Sequence, residues 1–175
     1  AVIAAYKSLN NDLFKMTGND AATAKKKMEA AFSIENQIAK VSYDQVKSRD
    51  PQANYHPMTW DQFVKSYPGV DWNYLLKASG YPNNGGKVDV GQPEPVHEVE
   101  KILATAPLDA LKAYMELAVI SSSAGMLSDN FTDRNFEYKK VAYGVQQQQP
   151  RWKRALAFVQ GIMGEAVGKL YVQKY

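Results

Sequence analysis

Few residues of this chain could do chemistry, and their spacing stops one position short of a zinc-binding helix. His97-Glu98-Val99-Glu100-Lys101 begins as H-E-x-x-H begins, but Lys101 stands where the second imidazole, one turn along the same face, would have to be. An ammonium there repels a dication. A catalytic zinc needs about three protein ligands drawn from His, Cys and carboxylates, and the chain holds two histidines and no cysteine. His97 is expected as a solvent-facing residue in the first turn of its helix. His56, between Tyr55 and Pro57, is expected in a turn or on the surface.

Other chemistries fare no better. There is no G-x-S-x-G elbow, and Ser121-Ser122-Ser123 falls inside a predicted helix, where serine hydroxyls bond back to the preceding turn. Asn84-Gly85-Gly86 lacks the downstream Lys-Ser/Thr and the preceding strand of a phosphate loop, and reads as a turn. Glu98 with Glu100, or Asp129 with Asp133, cannot be singled out as an acid/base pair from spacing alone. No residue is therefore assigned a catalytic, cofactor-binding or metal-binding role.

The charge balance narrows the partners. Twenty-one basic against eighteen acidic residues leave +3 over 175 residues, too mild a field to support nucleic acid or anionic lipid as partner. Lys25-Lys26-Lys27 and Arg151, Lys153, Arg154 read as solvated helix faces, with Arg151 and Arg154 spaced to reach one carboxylate on a neighbouring segment. No apolar run approaches membrane-spanning length. Zero cysteines exclude a disulfide within the chain and leave the compartment open.

The elements that would position these residues are helices. Apolar residues recur at helical spacing from Ala1 to about Met16. After Thr17-Gly18, Asn19 or Asp20 can cap a second helix with the stripe Met28, Ala31, Ile34, Ile38, Val41 and Gln45, Pro51 marking its exit. The short connection predicts an antiparallel hairpin. Thr59, with Gln62 three residues on, has the form of a capping box for a helix through Tyr67. Asp71 opens another short helix carrying Trp72, Leu75 and Leu76. Asn83-Asn84-Gly85-Gly86 is a turn cluster, and 87–90 alternates as one short extended segment. Further helices are expected from Pro95 to Ala104 (Val96, Val99, Ile102 and Leu103 inward), from Pro107 to about Leu127 (Leu111, Tyr114, Met115, Ala118 and Val119 periodic), and from Asp133 to about Gly144. The whole is an all-α single domain, 1–175, with at most that one extended segment.

The last helix, entered through Pro150, carries two faces. Trp152, Leu156, Val159, Met163, Ala166 and Leu170 share one side, while Gly161, Gly164 and Gly168 cluster opposite. Three glycines forfeit roughly 1 kcal/mol each relative to alanine, which close backbone approach of a neighbour would offset. Both sides are thus expected to be covered. The start Ala1-Val2-Ile3-Ala4-Ala5-Tyr6 lacks a signal-peptide pattern, already reads as helix, and the close at Tyr175 carries no stop. Both ends read as cut from something longer.

Taken in order, Glu35-Asn36-Gln37-Ile38-Ala39, Arg49-Asp50-Pro51, Tyr55, Met58-Thr59, Pro68, Asp71-Trp72 and the closing run from Arg151-Trp152 to Met163-Gly164-Glu165-Ala166-Val167-Gly168-Lys169-Leu170-Tyr171-Val172 resemble landmarks of the neprilysin and endothelin-converting enzyme family of zinc endopeptidases. The likeness covers about Glu35 to Tyr175, and departs from the family at His56, commonly Asn, and in a shortened segment near Asn83. It implies a two-lobed enzyme in which this chain is a piece of the N-terminal, non-catalytic lobe, closing over the active site and favouring oligopeptides. Zinc and H-E-x-x-H would lie in a catalytic lobe of the same polypeptide, outside this chain. It also implies an extracytoplasmic protein, and the lack of cysteine favours a bacterial parent. A self-standing helical protein-interaction module is the alternative, and a nucleic-acid-binding domain a distant third.

Overall fold

The computed structural model describes residues 1–81 and 86–175. Among these are eight α-helices: α1 Val2–Met16, α2 Ala21–Val41, α3 Trp60–Ser66, α4 Trp72–Ala78, α5 Pro93–Thr105, α6 Leu108–Ser123, α7 Asp129–Tyr143 and α8 Arg151–Lys174. The all-α expectation holds. The extended segment is present as β2, Lys87–Asp89, and it pairs antiparallel with a second strand, β1, Pro57–Thr59, in the register Pro57 to Asp89. A strand needs a partner for its backbone groups, and three residues beginning at Pro57 are too short to show a period. Of the expected turn cluster, only Gly86 lies within the described residues; its carbonyl accepts from the Trp60 amide.

Helices α1, α2, α6 and α7 build the main core. The α1–α2 hairpin forms as expected. Gly18 sits at φ 93°, a left-handed turn open to glycine, and the Asp20 carboxylate accepts from the amides of Ala22 and Thr23 to cap α2. Leu9, Leu13 and Phe14 of α1 meet Ala24, Met28 and Ala31 of α2, Ala113, Leu117 and Ile120 of α6, and Phe131 of α7. Phe14 is wholly buried, worth roughly 1.5–3 kcal/mol for such a side chain. Polar ties lock the periphery. Tyr6 Oη donates to Glu35 at 2.7 Å, Arg134 Nε to Asp12 at 2.7 Å, and Lys27 Nζ to Glu116 at 2.7 Å. Lys27 is thereby a cross-helix tether rather than a solvated charge, because it stands beside buried Met28, one turn before buried Ala31, and reaches Glu116 of α6.

A second, aromatic cluster gathers 57–97. Phe63, Tyr67 and Val90 are buried, with Trp60, Val64, Trp72, Val88 and Val96 against them. The Thr59 capping box is complete, Thr59 Oγ1 accepting from the Gln62 amide while Gln62 Oε1 accepts from that of Thr59. Trp72 Nε1 donates to the Tyr67 carbonyl at 2.6 Å, so the indole closes the Pro68-Gly69 turn.

Several boundaries and faces differ from expectation, each for a local reason. Helix α2 ends at Val41, four residues before Gln45, because Ser42 is extended, Gln92 Oε1 takes the Tyr43 amide at 2.9 Å, and Asp44 turns back onto the amides of Val46 and Lys47. Helix α6 ends at Ser123, where the Met126 amide bonds the Ser123 carbonyl around Gly125. Its inward face is Ala113, Leu117 and Ile120, leaving Met115 and Val119 exposed. The helix is apolar on almost every side, so period alone cannot choose a face. Leu103 of α5 is likewise exposed. Helix α7 begins at Asp129, not Asp133, behind Ser128 as cap position, and ends on Gly144 at φ 69°.

The largest difference is α8. No residue of it is buried, and its backbone leaves helical geometry at Met163 (φ −124°, ψ 37°). The expected cover on both sides is not supplied by this chain: Trp152 and Leu170 are exposed, and a Cβ added at Gly161, Gly164 or Gly168 would meet nothing within 4 Å.

Candidate functional site

The structure disperses the groups that might have made a reaction centre and engages most of them in holding the fold. Glu100 of the H-E-x-x-K run is nearly buried, its side chain 11% exposed; Oε1 accepts from the Gly69 amide at 2.6 Å, and Oε2 lies 3.4 Å from His97 Nδ1. Gly69 is required there, since a Cβ would sit 2.8 Å from Glu100 Cβ. Glu98 pairs with Lys101 at 3.2 Å. His97 is solvent-facing as expected, and its ring lies 4.6 Å from that of Tyr67. Burial first, then the negative charges of Glu100 and Glu94, push the Tyr67 phenol up.

His56 is half-buried at the sheet, where Nδ1 is 2.9 Å from the Val90 carbonyl and its amide donates to Asp89. Ser122 Oγ bonds back to Val119 at 3.0 Å, the helical habit expected of the serine run. Asp129 pairs with Arg151 at 3.0 Å, while Asp133 accepts from Gln148 at 3.3 Å. Arg151 and Arg154 therefore do not share a carboxylate. Arg154 turns its Nε inward, where it is buried with no hydrogen-bond partner. Among the described residues no group of three or more His, Cys, Asp or Glu is placed to hold a metal ion. With two histidines and no thiolate, the donors present do not fit a catalytic zinc.

What the structure leaves uncovered is apolar surface on two helices. On α6, Leu108, Met115 and Val119 stand in solvent; on α8, Ile162, Met163, Leu170, Tyr171 and Val172 do. Large apolar patches on a soluble surface mark places where another surface belongs. Between the α6–α7 turn and the first half of α8 lies a groove of about 620 Å³. Its polar lining, Lys139 and Gln148 among it, was not anticipated; the available signal was a polar glutamine run feeding an apolar helix.

Comparison with known proteins gives this uncovered surface its context. The N-terminal model of peptidase family M13 matches residues 1–175, the entire chain. The chain belongs to peptidase family M13. Its M13 relatives include neprilysin-2 of Drosophila melanogaster, 26% identical across 99% of this chain and 24% of the relative. The neutral endopeptidase of Lactobacillus helveticus is 25% identical across 94% of this chain and 25% of its own length. Among solved structures, the zinc metalloprotease Zmp1 of Mycobacterium tuberculosis in complex with an inhibitor superposes with a TM-score of 0.91 at 29% identity, over 99% of this chain and 27% of that one. Zmp1 in a partial open state gives a TM-score of 0.81. The M13 chain thus spans about a quarter of the length of these relatives, and it corresponds to part of the N-terminal lobe of a neprilysin-like metalloendopeptidase.

Proposed function

We propose that this chain is the non-catalytic covering part of a zinc metalloendopeptidase, a single helical domain that closes over an active site supplied elsewhere in the same polypeptide. The observation that carries the reading is α8: an apolar stripe and a glycine face, both bare, in a chain about a quarter as long as its relatives. Helix-period apolar faces are left uncovered in a folded protein only where something else covers them. The zinc and its H-E-x-x-H ligands belong to that other part. Zinc, when bound there, would polarise the scissile carbonyl and activate water; this chain's contribution is shape and water exclusion.

The substrates are oligopeptides small enough to enter the space the helices enclose, and folded proteins are refused. The setting is extracytoplasmic, and the absence of cysteine suits a bacterial parent. Zmp1, known in open, partial open and inhibitor-bound forms, is the proper comparison for such a chamber.

The test uses the reading frame beyond Tyr175 and the polypeptide it encodes. A downstream H-E-x-x-H, with chelator-sensitive cleavage of short peptides but not of folded proteins, is the expected result. The 175-residue chain given zinc should cleave nothing. Turnover by that chain alone, or a frame closing soon after Tyr175, would overturn the reading, and the second outcome would favour a self-standing interaction module.

A further inference from the structure

The groove between the α6–α7 turn and α8 is amphipathic in a particular way. Its apolar walls include Met126, Phe136 and Phe158, and its charged lining is Lys139, Arg151 and Arg154 with no carboxylate among the lining residues. Arg151 is already neutralised by Asp129. Two buried atoms are left unmatched, the donor Nε of Arg154 and the acceptor Oε1 of Gln148, whose Nε2 is committed to Asp133. Buried polar atoms without partners are rare in native proteins, and here a donor and an acceptor occur in one cationic, apolar-walled groove.

We infer that this groove is filled by a segment of the same polypeptide lying outside residues 1–175, one that presents a carboxylate between apolar side chains. The inference rests on the reading that the chain belongs to a longer peptidase. The carboxylate accepts from the Nη groups of Arg154 and neutralises Lys139, and the segment's apolar side chains lie on Phe136 and Phe158. Charge complementarity selects an acidic occupant, since a basic one would meet two unneutralised cations. The share of the relatives' length that lies outside this chain, which spans 27% of Zmp1, supplies the source.

Met126, exposed in this structure, reports on occupancy through its oxidation by peroxide in the full-length polypeptide. With the groove filled, Met126 should oxidise at least about tenfold more slowly than in the same protein unfolded in urea. Arg154→Gln should restore a substantial part of that rate, whereas Arg154→Lys, which keeps the charge, should restore less. A carbodiimide should join Lys139 to an Asp or Glu outside 1–175 in the same molecule. Met126 oxidising nearly as fast as in urea would overturn the inference, as would Lys139 joined to a carboxylate of a second copy. Peptide cleavage by the same preparation separates the two failures: an active enzyme with an unprotected Met126 sinks only the groove, and an inactive, zinc-free one sinks the covering-lobe reading itself.

Discussion

Helices α2 and α8 invite the same reading from sequence and meet opposite fates. Both are long, both carry an apolar stripe at helical period, and both begin from a clear start signal. Helix α2 buries Ala24, Met28 and Ala31 in the core it shares with α1 and α6, and Ile34 besides, whereas no residue of α8 is buried. The difference lies in the chain around them. Four residues after α1, α2 folds back on its neighbour, so local connection supplies its cover. Helix α8 follows a polar glutamine linker, and none of its residues is buried by the rest of residues 1–175. An amphipathic period reports that a face demands cover; it does not say which stretch of polypeptide provides it.

The largest expected effect tests that contrast directly. Phe14→Ala removes a wholly buried ring beside α2 and should destabilise the chain by roughly 3–5 kcal/mol. Leu170→Ala on the bare stripe of α8 should stay within about 0.5 kcal/mol. Urea denaturation of the two variants decides it, and comparable losses would mean that α8 is covered in solution after all. Next in size is Gly69→Ala, a glycine that has already met its partner. Its new Cβ would lie 2.8 Å from Glu100 Cβ and disturb the 2.6 Å bond to Glu100, for a loss of about 1–3 kcal/mol.

The tie between α1 and α2 has a pH signature of its own. Burial, then the hydrogen bond to Glu35, raises Tyr6 from the ordinary phenol value to about 12. Below pH about 10 the phenol is neutral folded or unfolded, and its stabilisation is fully present. As pH rises from there towards about 12, the unfolded chain ionises first and the stabilisation is lost. With the phenol about half in water, screening reduces the effect to about 1 kcal/mol. Denaturation midpoints between pH 9 and 11.5 should fall less steeply in Tyr6→Phe than in the wild type; equal slopes would remove Tyr6 as the cause.

Much of the fold could be read in advance because its signals are local. Asp20, the Thr59-Gln62 box, Asp71 and the left-handed glycines act within a turn of themselves, and the helix ends they mark are where the sequence places them. Signals that depend on a distant partner were not legible. The pairing of β1 with β2, the capture of Tyr43 by Gln92, the crossing of Lys27 to Glu116 and the choice of face on α6 each need a residue far along the chain. Of the candidate groups, His97 is solvent-facing and Ser122 bonds back along its helix, as expected. Glu100 emerges as a fold lock, and Arg154 as a half-buried cation lining the groove, only when the turn at Gly69 and the groove beside α8 are in place.

The smallest effect is the sharpest, because its sign depends on what covers α8. Gly164 lies in a helix where a Cβ would meet nothing within 4 Å. In the 175-residue chain Gly164→Ala should therefore only restrict the unfolded backbone and favour the helix, a gain of about 0.5–1 kcal/mol. In the full-length polypeptide the same methyl would enter whatever space the covering element occupies, and overpacking there turns the gain into a loss of about 1–3 kcal/mol. Helicity and melting of both lengths, each with and without the substitution, measure this reversal. A gain in both lengths would show that the glycine face stays bare in the whole protein, and would remove the contact on which a covering role for α8 depends.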